Sequence, residues 1–319
     1  MRQLIQKVLI TDPIDAQFVQ ALKTLGLDVV QKTLTEEQLL KEIPDYEMLI
    51  VRSGTQVTRK VINAGQRLKL IGRAGTGVDN IDVPAATEQG ILVMNTPGSN
   101  TISACEHTCA LILALSRHIP PAYASLKEGR WDRKLYMGHE VMGKTLAIFG
   151  LGRIGRELAI RMRAFGMRCV GFDPYIPAEA VAEFGIEFME PERIWPIADF
   201  ISIHVPLLAE TENLINLEVL HRCKKGVKII NVARGGIVSE ADLLTGLNDG
   251  QVGGAALDVF SSEPPSPSVL TLIKHPRVLA TPHLGASTVE AQERVAEDLA
   301  QQITILLETG RAPGLVNRV

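Results

Sequence analysis

Three side chains in the last third of the sequence have the chemistry for acid-base work on a substrate that carries a carboxylate: Arg234, Glu263 and His283. Each follows an aliphatic run that is typical of a strand, and open α/β sheets bind ligands at the carboxyl ends of their strands. Any one of these residue types is more often a surface charge or a structural side chain than a catalyst. Their joint placement at successive strand ends favours one shared crevice.

The chemistry that suits this set is hydride transfer at a carbon bearing oxygen, because the oxygen gains or loses a proton as the hydride moves. His283 is the candidate acid or base, and Glu263 would hold its ring and favour the imidazolium. Arg234 can bind a carboxylate through two parallel hydrogen bonds and would polarise the carbonyl during reduction. The remaining histidines lack such a context and are interpreted as structural or solvent-exposed: His107, His118, His139, His204, His221 and His275.

A glycine-rich turn supplies the nucleotide site that hydride transfer needs. Gly150, Gly152 and Gly155 directly follow the predicted strand Thr145–Phe149, and a helix is predicted from Arg156 to Phe165. The glycines allow a tight turn, close approach of a pyrophosphate and close packing of helix on strand. Asp173 ends the next strand, where a carboxylate accepts hydrogen bonds from the adenosine ribose and repels a 2′-phosphate. NAD is therefore favoured over NADP, and the alternative is a plain glycine turn with a surface aspartate.

Two series of alternating strands and helices must position these residues. The first series has predicted strands at Lys7–Thr11, Met48–Val51, Lys69–Ile71 and Leu92–Met94. The second has six, at Thr145–Phe149, Arg168–Phe172, Phe200–His204, Val227–Asn231, Gly253–Leu257 and Val278–Ala280. The fold class is therefore α/β, with a Rossmann-type parallel-sheet nucleotide domain and a smaller flavodoxin-like α/β substrate domain.

The last helix, from Thr288 to about Glu308, carries Val295 and Leu299 on an apolar face and is expected to return to the first domain. The predicted division is thus a discontinuous substrate-binding domain of residues 1–99 and 287–319, and an NAD-binding domain of residues 100–286. The tail after Gly310 is expected to be a loop.

The helix predicted at Ile102–Ile119 is apolar nearly all round, which indicates burial on every side. Two interpretations remain open for it, a subunit interface and an ordinary central helix.

Composition excludes several other classes of protein. The chain has 319 residues, enough for about two domains, and its hydrophobic share of 46% is that of a folded globular protein. A net charge of -3 gives no reason to expect binding to nucleic acid. No apolar run is long enough to span a membrane and no signal peptide is visible, so a cytoplasmic location is expected. Four scattered cysteines predict neither a metal site nor a disulfide framework.

Four motifs, in their order and spacing, resemble those of the NAD-dependent D-2-hydroxyacid dehydrogenase family. They are the glycine run 150–155, the turn 231–236, the segment 255–264 with its Glu263, and the turn 282–285 with its His283. In the first domain, segments 51–55, 72–80 and 90–97 resemble the members that oxidise D-3-phosphoglycerate. The resemblance covers essentially the whole chain and implies Arg234, Glu263 and His283 as the catalytic set.

The resemblance also implies the contacts with cofactor and substrate. Contacts with NAD would come from Thr76, Gly150, Gly152, Arg153, Ile154, Gly155, Asp173, Val205, Val232, Ala233, Arg234, Asp258, His283, Leu284, Gly285 and Ala286. Many relatives have threonine at the position of Val205, so a hydroxyl contact would be lost there while a backbone contact would survive. Substrate contacts would come from Arg52, Ser53, Arg73, Gly75, Arg234 and His283, and the first two arginines would serve a phosphate.

The implied reaction is NAD-dependent oxidation of D-3-phosphoglycerate to 3-phosphohydroxypyruvate, the first step of L-serine biosynthesis. The alternatives are a glyoxylate or hydroxypyruvate reductase, another D-2-hydroxyacid dehydrogenase, and an NAD-sensing binding protein like the related corepressors. The expected partners are a phosphorylated 2-hydroxy acid and further copies of this chain in a homodimer or larger homo-oligomer. The basic cluster 130–134 either adds a charge from a neighbouring subunit, as family dimers imply, or is a solvated loop. Many of the members that oxidise D-3-phosphoglycerate carry a C-terminal regulatory domain that the sequence up to Val319 does not include. Two alternatives are expected: a short form of the enzyme, or the catalytic portion of a longer one.

Overall fold

The computed structural model describes residues 5–318 and divides into two compact units, each built on its own parallel sheet. One unit contains the residues up to Asn100 and those from Thr288 onward, and the other is Thr101–Ser287. Residues 1–4 and 319, which the predicted domain ranges include, lie outside the described residues.

The discontinuous unit has a five-stranded sheet in the order β2-β1-β3-β4-β5, which is the flavodoxin-like order. Its elements up to Asn100 are β1 (Lys7–Ile10), α1 (Ala16–Thr24), β2 (Asp28–Gln31), α2 (Glu36–Glu42), a 3-10 turn (Ile43–Asp45), β3 (Met48–Val51), α3 (Arg59–Ala64), β4 (Leu70–Arg73), α4 (Val83–Glu88) and β5 (Leu92–Met94). All four residues of β3 are fully buried, because helices cover both faces of a parallel sheet. The sequence missed β2, an edge strand whose end residues are both exposed.

The last helix, Val289–Thr309, completes this unit, as predicted. Its buried face includes Val295, Leu299 and Ile303, which share one apolar cluster with residues of α1 and β3 such as Phe18 and Ile50. The fold class predicted for both sheets is confirmed.

The tail beyond this helix is a loop, as expected, but it is anchored along β5. Leu315 pairs with Met94 in an antiparallel bridge. The side chain of Asn317 accepts a hydrogen bond from the Val93 N–H at 2.8 Å and donates one to the Ile91 carbonyl at 2.9 Å. The tail therefore covers an edge that would otherwise leave backbone groups unpaired.

The continuous unit has a seven-stranded sheet in the order β12-β11-β10-β9-β6-β7-β8, the Rossmann order with one further strand. Its elements are α5 (Thr101–Ser116), α6 (Ile119–Lys127), β6 (Thr145–Phe149), α7 (Arg153–Ala164), β7 (Arg168–Phe172), α8 (Glu179–Ala182), β8 (Ile186–Phe188), α9 (Pro191–Ile194), β9 (Phe200–Ile203), α10 (Leu217–Arg222), β10 (Val227–Asn231), α11 (Glu240–Asn248), β11 (Val252–Leu257), α12 (Pro267–Ile273) and β12 (Val278–Ala280). All six predicted strands are present, and the short edge strand β8 is an addition.

Two helix predictions in this unit need correction. The helix after the glycine run begins at Arg153 rather than Arg156, because Gly152 is already its N-cap. The helix predicted from Ile102 ends at Ser116, and a separate α6 follows. Within the single chain α5 is not buried on every side, since Ile102, Glu106 and Ala110 form an exposed stripe along it; of the two interpretations, only that of an ordinary central helix would require this stripe to be buried in the chain itself.

Candidate active site

The glycine run joins β6 to α7 through a turn in which two glycines are required by packing. A Cβ atom on Gly150, whose φ is 96°, would lie 2.4 Å from the His204 carbonyl oxygen. A Cβ atom on Gly155 would lie 2.2 Å from the Gly150 carbonyl oxygen. Gly152 is different, because no atom lies within 4 Å of the position that its Cβ would take. The N-terminus of α7 is therefore open to an anionic ligand, and Arg153 and Ile154 form its first turn.

Asp173 follows β7 and is tied to this turn. Its carboxylate accepts hydrogen bonds from the backbone N–H groups of Leu151 and Tyr175, both at 2.9 Å. A cavity of about 560 Å³ lies beside it. The lining includes Phe172, Pro174, Tyr175, Ile176 and Phe188. Two carboxylates also line the cavity, that of Asp173 at the glycine turn and that of Glu190. Apolar walls with a carboxylate at the glycine turn suit an adenosine group, so the residues present fit NAD.

The turn after β10 carries three predicted residues, Val232, Ala233 and Arg234. The Asn231 side chain brackets it, accepting from the Ala233 N–H at 3.0 Å and donating to the Arg234 carbonyl at 2.8 Å. A Cβ atom on Gly235 would lie 1.9 Å from the Phe260 carbonyl oxygen, so this position requires glycine. The turn is thus held against the segment that leads to Glu263.

Val205, another residue predicted to contact the cofactor, follows β9 and lies beside the glycine run. Its Cγ1 atom would lie 3.0 Å from a Cβ atom on Gly150.

Glu263 and His283 form the ion pair that the sequence predicts. The His283 Nδ1 atom lies 2.6 Å from Glu263 Oε2, and Oε1 of the same carboxylate accepts from the Phe260 N–H at 3.1 Å. The hydrogen bond to Glu263 raises the pKa of His283 against the opposing effect of burial, and nearby Asp258 raises it further while Arg234 lowers it. Burial would raise the pKa of Glu263, but the hydrogen bond from His283, the charge on that ring and the Phe260 N–H together outweigh it, and the pKa is lowered. The pair is therefore matched for an imidazolium held by a carboxylate.

The backbone of His283 has a φ of 55°, an uncommon left-handed conformation for this residue type. Its N–H donates to the Asp258 carbonyl at 2.8 Å and the next two N–H groups, of Leu284 and Gly285, donate to the Asp258 carboxylate, each at 2.8 Å. Ala286 continues the same turn. Backbone strain of this kind is kept only where the surroundings fix it, and here Asp258 fixes it.

Asp258 is completely buried and has further partners that the sequence did not indicate. The Thr281 hydroxyl donates to Oδ1 at 2.5 Å, and His107 Nε2 lies 3.2 Å from Oδ1 and 3.0 Å from the Thr281 hydroxyl. Burial opposes ionisation of Asp258, yet the hydrogen bonds from these side chains and from the backbone lower its pKa. His107, interpreted from the sequence as structural or solvent-exposed, thus has a structural role at Asp258, a residue predicted to contact the cofactor. Because His107 and Asp258 are 151 positions apart, only the folded chain shows the contact.

His204, which the sequence interpretation left as structural or exposed, is a structural residue. Its Nε2 lies 2.8 Å from the Ser202 hydroxyl, and burial lowers its pKa to about 4.

In the discontinuous unit, Arg52 and Arg73 lie at the carboxyl ends of the neighbouring strands β3 and β4. The Arg52 guanidinium donates to the Pro13 carbonyl at 3.2 Å, and burial lowers its pKa. The Arg73 guanidinium lies directly over Gly75, since a Cβ there would come within 1.9 Å of Arg73 Nη1. Gly75, with a φ of 146°, therefore provides the space that this guanidinium occupies.

The loop after β3, which contains Ser53, is held by hydrogen bonds from its backbone to the side chains of Asp12 and Asn80. The buried Asp12 carboxylate accepts from the backbone N–H groups of Arg52, at 2.5 Å, and Thr55, at 3.2 Å. The Asn80 amide donates to the carbonyls of the same two residues, at 2.7 and 2.6 Å. Neither support was predicted from the sequence, because an aspartate after β1 and an asparagine in the loop after β4 are ordinary residue types for the ends of strands.

Thr76 donates to Asn100 Oδ1 at 2.9 Å and to the Thr96 carbonyl at 3.2 Å. These bonds tie the loop after β4 to the end of the first segment of this unit. The contact of Thr76 with NAD stays a prediction.

Residues 109–285 match the family described as D-isomer specific 2-hydroxyacid dehydrogenase, NAD binding domain, which is more than half of the chain. The chain belongs to this family. Its NAD-binding segment contains the glycine turn, Asp173 and the Glu263–His283 pair.

Three dehydrogenases and reductases are similar to this chain over almost its whole length. The chain is 52% identical to D-3-phosphoglycerate dehydrogenase of Rattus norvegicus over 314 aligned residues. The aligned region covers 98% of this chain and 58% of that relative. It is 30% identical, with a TM-score of 0.88, to a glyoxylate reductase from Paecilomyes thermophila, covering 98% of each chain. It is 28% identical, with a TM-score of 0.86, to D-lactate dehydrogenase from Aquifex aeolicus complexed with NAD and lactic acid, covering 98% of this chain and 99% of the other. The chain thus spans somewhat over half the length of the phosphoglycerate dehydrogenase and nearly the whole length of the glyoxylate reductase and the D-lactate dehydrogenase.

Residues 5–318 contain neither a cluster of metal-ligating side chains nor a membrane-spanning helix. No group of three or more His, Cys, Asp or Glu side chains in that range could hold a metal ion. Nor does any helix there combine the length and apolar character needed to cross a membrane.

Proposed function

We propose that this chain catalyses the NAD-dependent oxidation of D-3-phosphoglycerate to 3-phosphohydroxypyruvate, the first step of L-serine biosynthesis. The observation that carries the choice of substrate is the 52% identity, over 98% of the chain, to a relative named D-3-phosphoglycerate dehydrogenase. The Glu263–His283 pair and the two arginines at adjacent strand ends agree with that chemistry.

The mechanism assigns the proton to His283. Its Nδ1 is occupied by Glu263, so Nε2 is the atom that takes the proton from the substrate hydroxyl as the carbonyl forms. NAD, when bound, supplies the acceptor for the hydride. Glu263 fixes the orientation of the ring and stabilises the imidazolium that results. In the reverse direction the same imidazolium returns the proton to the carbonyl oxygen.

Anionic groups of the substrate are assigned to arginines. Arg234, which lies close enough to His283 to lower its pKa, would bind the carboxylate next to the reacting carbon. Arg52 and Arg73 would bind the phosphate with Ser53 and Gly75 beside them, which makes residues 1–99 and 287–319 the substrate-binding domain. Residues 100–286 would be the NAD-binding domain, in which the cofactor contacts predicted from the sequence lie, apart from Thr76.

We further propose that the chain acts as a homodimer or larger homo-oligomer. Large apolar side chains are exposed along α6 and the segment that follows it: Ile119, Tyr123, Leu126, Trp131, Leu135 and Met137. Exposed large apolar side chains grouped in one stretch of a folded domain often mark a surface that another chain covers. A second copy is the simplest partner, because most soluble oligomers are homo-oligomers. A cytoplasmic location completes the proposal and agrees with four free cysteines.

A glyoxylate or hydroxypyruvate reductase is the second candidate, favoured by the structural similarity to a glyoxylate reductase. A steady-state substrate panel separates the two: D-3-phosphoglycerate, glycerate, 2-hydroxyglutarate and lactate are oxidised with NAD or NADP, and glyoxylate and hydroxypyruvate are reduced with NADH. We expect the highest kcat/KM with phosphoglycerate and NAD. Brisk reduction of glyoxylate or hydroxypyruvate, with no phosphoglycerate-dependent formation of NADH, would overturn the proposal.

The phosphate assignment has its own test with a matched control. Replacing Arg52 by Gln removes a charged donor and should raise KM for phosphoglycerate by roughly 10- to 100-fold. Replacing Arg59 by Gln removes an arginine of the same unit that pairs with Glu88 on the exposed surface, and KM should stay unchanged. Equal effects of the two variants would contradict a phosphate site at Arg52.

A further inference from the structure

One face of helix α5 lies under the turn that carries His283. Ser103 and His107 are one helical turn apart, so their side chains leave the helix on the same face. The Ser103 hydroxyl donates to the Gly285 carbonyl at 2.8 Å, and both groups are buried. His107 Nε2 reaches Asp258 and Thr281. Helix α5 therefore contacts the turn in two ways. Ser103 binds the backbone of the turn directly, and His107 binds the Asp258 carboxylate that holds the turn in place.

The directions of the hydrogen bonds around Asp258 show that the Nε2 atom of His107 carries a proton. The single proton of the Thr281 hydroxyl is directed to Asp258 Oδ1, 2.5 Å away, and the ionised carboxylate has no proton to give. The Nε2 atom of His107 must therefore be the donor, shared between Asp258 Oδ1 at 3.2 Å and the Thr281 oxygen at 3.0 Å. A proton on Nε2 satisfies both acceptors.

The Asp258 carboxylate collects four donors in all, two from side chains and two from backbone N–H groups. A buried carboxylate is costly unless it is fully hydrogen-bonded, so each donor helps to keep it ionised and in place. Close packing adds to this, since a Cβ atom on Gly285 would lie 3.3 Å from Asp258 Oδ2. Small displacements of Asp258 would pass directly to the backbone of Leu284 and Gly285, next to the strained His283.

We propose that His107, through Asp258 and Thr281, is a positioning residue for the acid-base histidine His283. It keeps the turn 283–285 in the conformation that directs the imidazole towards Glu263 and the substrate. The inference rests on the proposed role of His283 and names a residue of α5 that acts on the reaction without touching the reacting atoms.

The test compares variants at His107 that remove or keep the donor. His107→Leu should lower kcat by roughly 10- to 100-fold, as expected when a catalytic group is misplaced, with little change in the dissociation constant of NADH. His107→Gln keeps an N–H donor and should restore most of kcat. Glu106→Gln, at the neighbouring exposed position of the same helix, should have no effect and serves as the control.

Thr281 provides a second pair with the same logic. Thr281→Ser keeps the hydroxyl that bridges His107 and Asp258 and should behave like the unaltered protein. Thr281→Val keeps the shape and loses the hydroxyl, so it should reproduce the loss of kcat. A loss of kcat in Thr281→Ser as large as in Thr281→Val would contradict the proposal.

A readout independent of turnover is the titration of His283, followed by NMR of labelled histidine. The charged groups that set it are Glu263, Asp258 and Arg234, all of which remain in His107→Leu. Its midpoint should nevertheless fall towards the ordinary value, because both the pair with Glu263 and the charge on Asp258 are less well held. An unchanged midpoint would overturn the inference, even if the variant were less stable. If the unaltered protein oxidised no 2-hydroxy acid at all, the proposed function would fail, and the titration would still decide the role of His107.

Discussion

His283 Nδ1 lies 2.6 Å from Glu263 Oε2, although the two residues approach the site from different strand ends. The contact leaves Nε2 as the free ring nitrogen and favours the protonated ring, which is what reversible proton transfer to a substrate oxygen needs. Both side chains are partly exposed, at 45% and 38% of their surface, so the ring is accessible to a ligand.

Replacing His283 by Asn should lower turnover by a factor of roughly 10² or more, because the asparagine amide cannot take up and release the proton as imidazole does. Binding of NADH should stay near normal, since the glycine turn and Asp173 are unaltered. Steady-state kinetics and fluorescence titration with NADH measure the two effects separately. Unchanged turnover would remove His283 from the mechanism.

The pH dependence should have opposite signs in the two directions. Oxidation needs neutral His283 to accept a proton, so kcat/KM should rise with pH through the pKa of His283, which lies above its ordinary 6.5. Reduction needs the imidazolium, so its kcat/KM should fall over the same range. Replacing Glu263 by Gln removes the main cause of the raised pKa and should move both profiles to lower pH. Profiles that do not move would show that Glu263 does not set the pKa of His283.

The same pair makes a contribution to stability that depends on pH. Because the folded-state pKa of His283 is raised, its contribution is fully present below 6.5 and is lost as pH rises through the higher folded value. The melting temperatures of the unaltered protein and of Glu263→Gln should therefore differ most near pH 6.5. They should converge at pH values above the folded-state pKa of His283. A difference that grows with pH would contradict the assignment.

Replacing Asp173 by Ser should weaken NAD and relax the preference against NADP. The carboxylate beside the glycine turn is the group that would repel a 2′-phosphate, and serine keeps a hydrogen-bonding oxygen without the charge. The ratio of kcat/KM for NAD to that for NADP is the measurement. An unaltered ratio would count against the ribose assignment.

The glycines of the turn should separate folding from binding. Gly155→Ala forces a Cβ against the Gly150 carbonyl, and overpacking of this kind should lower the free energy of unfolding by about 1–3 kcal/mol. Gly152→Ala meets no protein atom and has a backbone conformation open to alanine, so stability should be unchanged while NAD binds more weakly. Thermal melts and NADH titration distinguish the two variants. A destabilised Gly152→Ala with normal binding would contradict the assignment of open space there to the cofactor.

Much of this fold follows from local sequence patterns. Buried parallel strands such as β3 are continuous apolar runs, and α2 begins at a capping box formed by Thr35 and Gln38, which are only three residues apart. The edge strands β2 and β8 were missed because an edge strand needs few apolar residues and is defined by its neighbour. Helix α6 was missed for a similar reason, since its exposed apolar residues do not follow the pattern of a helix that packs on a core.

The sequence by itself determined the types of the reacting groups and their places at strand ends, because parallel strands bring their carboxyl ends to one edge. Only the tertiary structure decided how those groups are held. His107 and Asp258, Asp12 and Arg52, and Asn317 and Val93 meet across 151, 40 and 224 positions of the chain. No periodicity encodes such pairs, because each partner follows the local rules of its own element and the contact exists only once both elements are packed.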